Sequence, residues 1–233
     1  MRIDLIFPAR LALAAIACAA LVTTPAPAPA QDGGASIEIT PFKVEGLVIG
    51  NSWISDAAFG EKHNVAVPAP FELIIPRGDD FLNATQPAPG GQGIVRFHFA
   101  TLDKQPMENM EFVSMTIQMG DIEARLQSVA KALTEEAFPG AVAGSDGSKI
   151  DVMRKIEIGP YQAVEVVGRY QNQTDGLVHL RLVGIPHPDR AESVFVVMNL
   201  LCSRVAIETL GDFAETRSGR ALTTFRYRAS ADE

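Results

Sequence analysis

Cysteine is almost missing from this chain, which holds Cys18 and Cys202 among 233 residues. Two thiols allow at most one disulfide, so a disulfide-stapled scaffold is excluded. Basic residues are scarce as well: 20 Lys and Arg stand against 28 Asp and Glu, a formal net charge of −8. Binding nucleic acid or an anionic membrane surface needs a positive footprint, so neither is expected as a partner. Catalytic signatures are lacking too. There is no Gly-x-Ser-x-Gly elbow, no His-Glu-x-x-His, no cysteine pair at zinc spacing and no glycine-rich phosphate loop. No catalytic residue, cofactor or metal ligand is therefore assigned. Long apolar runs are also missing, since Leu11–Val22 is too short to span a bilayer and nothing later is longer.

What the first thirty residues do contain is a secretory leader. Arg2 and Arg10 give a positive start, Leu11–Val22 the apolar segment, and Ala28-Pro29-Ala30 a small-x-small cleavage site. Cleavage after Ala30 is expected, with a periplasmic or secreted product. A second ending is open. Ala15-Ile16-Ala17-Cys18 resembles a bacterial lipobox, apart from Ala15 where leucine is usual, and a lipidated Cys18 would anchor the chain to the envelope membrane. The prolines from Thr23 to Gln31 would then form a stiff spacer. Either cut leaves Cys202 without a disulfide partner in the folded domain. Cys202 ends the run Val-Met-Asn-Leu-Leu-Cys, which favours a buried, inert thiol. The organisation read from the sequence is a signal peptide (1–30), a linker and N-terminal extension (31–65), one domain (66–228) and a tail (229–233).

Within the domain, period-two alternation marks the strands. "FELIIP" (71–76) is a short one between prolines, and 79–93 reads as loop from its Asn, Pro and Gly content. In "GIVRFHFA" (93–100), Val95, Phe97 and Phe99 share one face and Arg96 and His98 the other. In "EFVSMTIQM" (111–119), Val113, Met115, Ile117 and Met119 alternate with polar residues. Asp121 then caps an amphipathic helix through Leu126, Val129, Leu133 and Ala137 that Pro139-Gly140 should stop. Four strand-like runs follow: 150–158, 161–171, 177–185 and 194–201. The last is apolar on both faces and so should be central. A final helix is expected from Ser203 with Ile207, Leu210, Phe213 and Ala214 inward, and "ALTTFRY" (221–227) closes the domain. The order gives an α+β fold, an antiparallel sheet with two main helices packed on it.

This order resembles the PsbP-like superfamily, which includes exported DcrB-like proteins. The resemblance rests on "PFELIIPRGDDF", on the unit "FVSMTIQMGDIEARLQSVAKAL", on Gly159, Ala163 and Val166 after a strand, and on "LTTF" near the end. It covers about residues 66–228. It implies a PsbP-like α/β sandwich and a non-catalytic accessory or binding role, and it carries over no site residue.

The remaining polar candidates are few. Ser145 in "AGSDGSKID" tempts a nucleophile reading, and Asp146, Ser148 and Asp151 a calcium reading, but a plain loop after a helix is expected. His63 and His187 fall in segments where exposure is expected. Arg96, His98, Arg169, His179 and Arg181 have strand positions that could form one basic face on an acidic protein, able to dock a carboxylate, a phosphate or an acidic partner. Glu165 belongs to the same face and could simply pair with them. Because Val183 and Ile185 share the parity of Arg181, something should cover part of that face, the 31–65 extension being one choice. The functional expectation is an exported accessory or binding protein contacting an envelope protein through a sheet face or groove. Alternatives are a periplasmic carrier of a small apolar or anionic ligand and a hydrolase with an unrecognised site.

Overall fold

The structure is a computed structural model, and it describes residues 40–41, 47–88 and 90–229. The leader, Cys18 and the cleavage site after Ala30 lie outside the described residues, as do 31–39, 42–46 and 230–233. The first strands are β1 (Thr40–Pro41), β2 (Gly50–Ser55), β3 (Phe71–Pro76), β4 (Leu82–Pro87), β5 (Gly93–Ala100) and β6 (Pro106–Thr116). The later ones are β7 (Asp146–Ile158), β8 (Tyr161–Asn172), β9 (Gly176–Ile185), β10 (Glu192–Leu201) and β11 (Arg226–Tyr227). The helices are α1 (Ala57–His63), α2 (Ile122–Ala132), α3 (Phe138–Ala141), α4 (Asp212–Glu215) and α5 (Arg217–Thr223). Among the described residues no helix is long and apolar enough to cross a membrane.

Eight strands make the main sheet, in the order β1-β7-β8-β9-β10-β6-β5-β4, and β11-β3-β2 make a second, smaller one. Every pairing is antiparallel except β1 with β7, which is parallel. The α+β class expected from the sequence is the class observed. β10 is central, as its two apolar faces require: Val194, Val196 and Met198 belong to one core, and Phe195 and Val197 to another on the opposite side.

The first core lies between the two sheets. Phe71 stacks on Phe112 with ring centroids 4.6 Å apart, and Trp53 meets Phe97 edge-on at 5.4 Å. Edge and offset contacts are the geometry aromatic quadrupoles favour. The second core lies under α2. The helix starts where Asp121 accepts the Ala124 N–H at 2.8 Å, and it buries Leu126 and Val129. Its closeness to the sheet depends on Gly184, where an added Cβ would come within 2.3 Å of the Val129 side chain.

Four expectations need correction. The domain begins earlier than residue 66, because β2 pairs with β3 along its length and Phe59 of α1 is in the core. Segment 79–93 contains β4, an edge strand, where Asn and Pro are tolerated. Pro139-Gly140 does not stop the helix. A π turn over Leu133–Ala137 leads directly into α3, and the wider turn makes room for Pro139, whose ring would meet the carbonyl four residues back in an unbroken α-helix. No helix starts at Ser203. Asp212 accepts the N–H groups of Glu208 and Thr209, which holds a loop, and the helical segments are α4 and then α5, capped by Thr216.

Candidate binding groove

The five basic candidates do not share one face. Arg169, His179 and Arg181 lie on the side of the main sheet that faces the small sheet, with Val167, Val183 and Met198. Arg96 and His98 alternate with Val95, Phe97 and Phe99 of that core and therefore point to the α2 side. Strand parity relates residues within a strand, but the sequence alone does not relate the parity of one strand to that of another.

On the small-sheet side, Arg181 and Glu165 are both fully buried, and the Arg181 Nε–H donates to Glu165 Oε1 at 2.7 Å. Arg154 takes the other carboxylate oxygen of Glu165. Burial draws the Arg181 guanidinium below its usual pKa and Glu165 opposes that shift. The Arg181 guanidinium carbon lies 5.6 Å from the centre of the Phe213 ring, which is also edge-on to His179. Phe213 covers this part of the face; of the 31–65 segment, residues 31–39 and 42–46 lie outside the described residues. Arg169 is the exposed member and bridges to Asp151 at 3.5 Å. Burial and Arg169 together lower the His179 pKa. Cys202 stands near the same strand ends, half-buried, its thiol pushed up by burial.

The other side is built differently. One helix about 10 Å across covers roughly two strands spaced near 4.8 Å, so α2 and α3 leave the β6, β5 and β4 end of the sheet open. The result is a groove in two joined parts. The first, about 550 Å³, is lined by Asn109, Tyr170, Asn199, Gln171 and Ser145 among others. The second, about 680 Å³, is lined by Val113, Met115, Leu133, Phe195 and residues 86–88 and 90–92. Arg96, Glu111, Ala141 and Val197 border both. Volumes of this size are those of small-molecule sites.

The polar part has an ordered floor. Tyr170 donates to Asn199 Oδ1 at 3.0 Å, and Asn199 Nδ2 donates to Asn109 Oδ1 at 3.1 Å. At the junction the Arg96 Nε–H donates to Glu111 at 2.9 Å, a partly exposed pair that cancels its own charge. Beside it His98 is held neutral: burial, and then Arg96, push its pKa down to about 4. Burial, and then Asp175, push the Tyr170 hydroxyl up to about 12, so Tyr170 remains a donor. Sequence reasoning found Arg96 and His98 but missed Asn109, Glu111, Tyr170 and Asn199. The signal was Asn199, the one amide in the otherwise apolar run 194–201.

The other singled-out residues lie elsewhere. Ser145 sits on the rim of the polar part, in a turn where its N–H reaches the Val142 carbonyl. His187 was expected in solvent but is buried, its ring 4.5 Å from that of Tyr227 and its N–H on Ser193. Among the described residues no three His, Cys, Asp or Glu side chains come together as a metal site.

No protein-family model matches the chain, and no curated protein does. Solved structures are similar in arrangement. The cyanobacterial PsbP of Synechocystis is 12% identical over 80% of this chain and 98% of its own, with a TM-score of 0.48. LpqN of Mycobacterium tuberculosis, described as involved in cell envelope biogenesis, is 12% identical over 77% and 91%, with a TM-score of 0.42. The Ran-binding protein Mog1p of Saccharomyces cerevisiae is 11% identical over 76% and 96%, with a TM-score of 0.40. A PsbP, from the superfamily the sequence resembles, is among these similar structures. Likeness at this level concerns strand order and assigns no residue a role.

Proposed function

We propose that this chain is an exported, non-catalytic binding protein and that its working surface is the two-part groove beside α2 and α3. The observation that carries this reading is the division of the groove's chemistry. One part offers amide and hydroxyl groups already tied into a network, and the other offers Val, Met, Leu and Phe side chains. Prearranged hydrogen-bonding groups beside an apolar slot suit a small ligand that is apolar at one end and uncharged but polar at the other. The Arg96–Glu111 pair satisfies itself, so a strongly anionic ligand would have to break it. Groups in catalytic positions are not needed for such a role.

The test is a filled groove. Ala141 borders both parts and is partly exposed. Ala141→Trp is expected to occupy the junction, and because Ala141 also packs against the second core, an unchanged circular dichroism spectrum and urea midpoint are the control that the core is intact. Wild-type protein should bind the uncharged fluorophore N-phenyl-1-naphthylamine with blue-shifted emission, and Ala141→Trp should weaken that binding at least tenfold. Equal binding by both proteins would sink the groove reading.

A further inference from the structure

The two ends of the main sheet are defended very differently. At one end β7 carries Asp146, Lys149, Asp151, Arg154, Lys155 and Glu157, and β1 pairs with part of it. Charges of this kind blunt an edge against pairing with other chains. At the other end lies β4, Leu-Asn-Ala-Thr-Gln-Pro, paired with β5 on one side only among the described residues. From Phe81 to Val95 the sequence has no charged residue, in a chain where 21% of residues are charged. The pairing of β4 with β5 also runs without a register shift, so no bulge twists this edge away.

The backbone directions can be assigned. The Ala88 N–H donates to the Ile94 carbonyl at 3.1 Å, continuing the β4–β5 register in which Pro87 faces Val95. Backbone groups alternate along an antiparallel strand, so Leu82, Ala84, Gln86 and Ala88 turn theirs toward β5. Asn83, Thr85 and Pro87 turn theirs outward. The proline sits where an N–H would serve no internal bond, which is where edge strands accept it.

From this we infer that β4 is a self-association edge: two copies of the chain join their main sheets by antiparallel β4–β4 pairing about a two-fold axis. The occupant is a second copy because the strand is self-complementary in one register. With Asn83 of one copy opposite Thr85 of the other, and the reverse, each pair exchanges two hydrogen bonds. All four outward donors at positions 83 and 85 then find an acceptor. Ala84 faces Ala84 of the second copy across the axis in a non-hydrogen-bonded pair, where Cα atoms approach to about 4.5 Å and a small side chain fits. Moving the two-fold axis by one residue toward Gln86 sets Asn83 opposite Pro87, which has no N–H, and moving it the other way sets Thr85 opposite Phe81, which lies outside β4. The absence of charge matters for the same reason, since two copies at −8 each repel except where their facing segments are neutral. The inference rests on the sheet edge and does not depend on the groove.

Two substitutions test it by different physics. Thr85 is exposed and its N–H points outward, so Thr85→Pro removes a donor from the pairing edge and none from the β4–β5 ladder. Ala84→Lys leaves every donor in place and sets two like charges against each other across the axis. Sedimentation equilibrium of the protein prepared from the full chain is expected to give a dimer for the wild type at tens of micromolar. Both variants should raise the dimer dissociation constant at least tenfold with an unchanged circular dichroism spectrum. If Thr85→Pro fails to fold, Ala84→Lys alone decides. A wild type that stays monomeric at 200 µM overturns the inference, whether the edge is open or taken by another segment. A dimer that neither substitution weakens overturns it as well.

Discussion

Replacing Glu165 by Gln should be among the most damaging single changes in this protein. Glu165 is fully buried and serves two cations, Arg181 at 2.7 Å and Arg154, and Arg181 is itself fully buried. With a neutral amide at 165, Arg181 keeps a hydrogen-bond acceptor but loses the charge of Glu165. Breaking a buried ion pair by removing one partner's charge typically costs about 3–5 kcal/mol. The reverse change is milder. Arg181→Met leaves Glu165 paired with Arg154, which reaches the surface, and replaces a buried cation by an apolar side chain of similar length. We expect it to cost about 1–2 kcal/mol, since removing buried ions in favour of packed apolar groups is often close to neutral. The double variant should cost less than the two single changes added together, because both act on the same ion pair. Urea unfolding followed by circular dichroism gives all three values if the slope with denaturant stays constant. A loss under about 1 kcal/mol for Glu165→Gln, or a larger loss for Arg181→Met than for Glu165→Gln, would refute this reasoning.

Two more predictions concern acid and export. The His98 pKa is about 4 in the folded chain against 6.5 in the open. Folding therefore favours the neutral ring. Its contribution is complete above about pH 6.5 and is lost as the pH falls toward 4. His98→Asn should flatten the fall in urea midpoint between pH 6.5 and 4 relative to wild type, and parallel curves would refute the assignment. If the leader is cut after Ala30, the intact mass of protein recovered from the cell envelope should correspond to a chain starting at Gln31. A mass starting at a lipid-modified Cys18 would instead make the following prolines a tether.

Most of the fold was legible because it is written in periods. β5 to β9 show enough alternation to be recognised as strands, β10 stands out as a continuous apolar run, and Asp121 marks the start of α2. What escaped was decided by contacts distant in sequence. β4 has the composition of a loop and becomes a strand because β5 pairs with it. β2 and α1 looked like an extension and belong to the core because Trp53 meets both Phe97 and Phe59 there. The site was legible only in halves. Arg96 and His98 were singled out, yet their grouping with Arg169, His179 and Arg181 needed a relation between strands that β5 and β9 do not share. Asn109, Tyr170 and Asn199 come from three strands, and no spacing in the sequence announces their hydrogen-bond chain.

The π turn at Leu133–Ala137 gives the groove a wall that absorbs an extra residue. Leu133, Glu136 and Ala137 border the apolar part, and Gly140 and Ala141 follow immediately in α3. A π turn accommodates one residue more than an α turn, and each residue of an α-helix advances the side chains by about 100° around the axis. The extra residue is taken up inside the wider turn, so Gly140 and Ala141 keep the face toward the groove that an uninterrupted α-helix would give them. A one-residue change of length here would therefore alter the bore of one turn and leave in place the residues that line the groove beyond it.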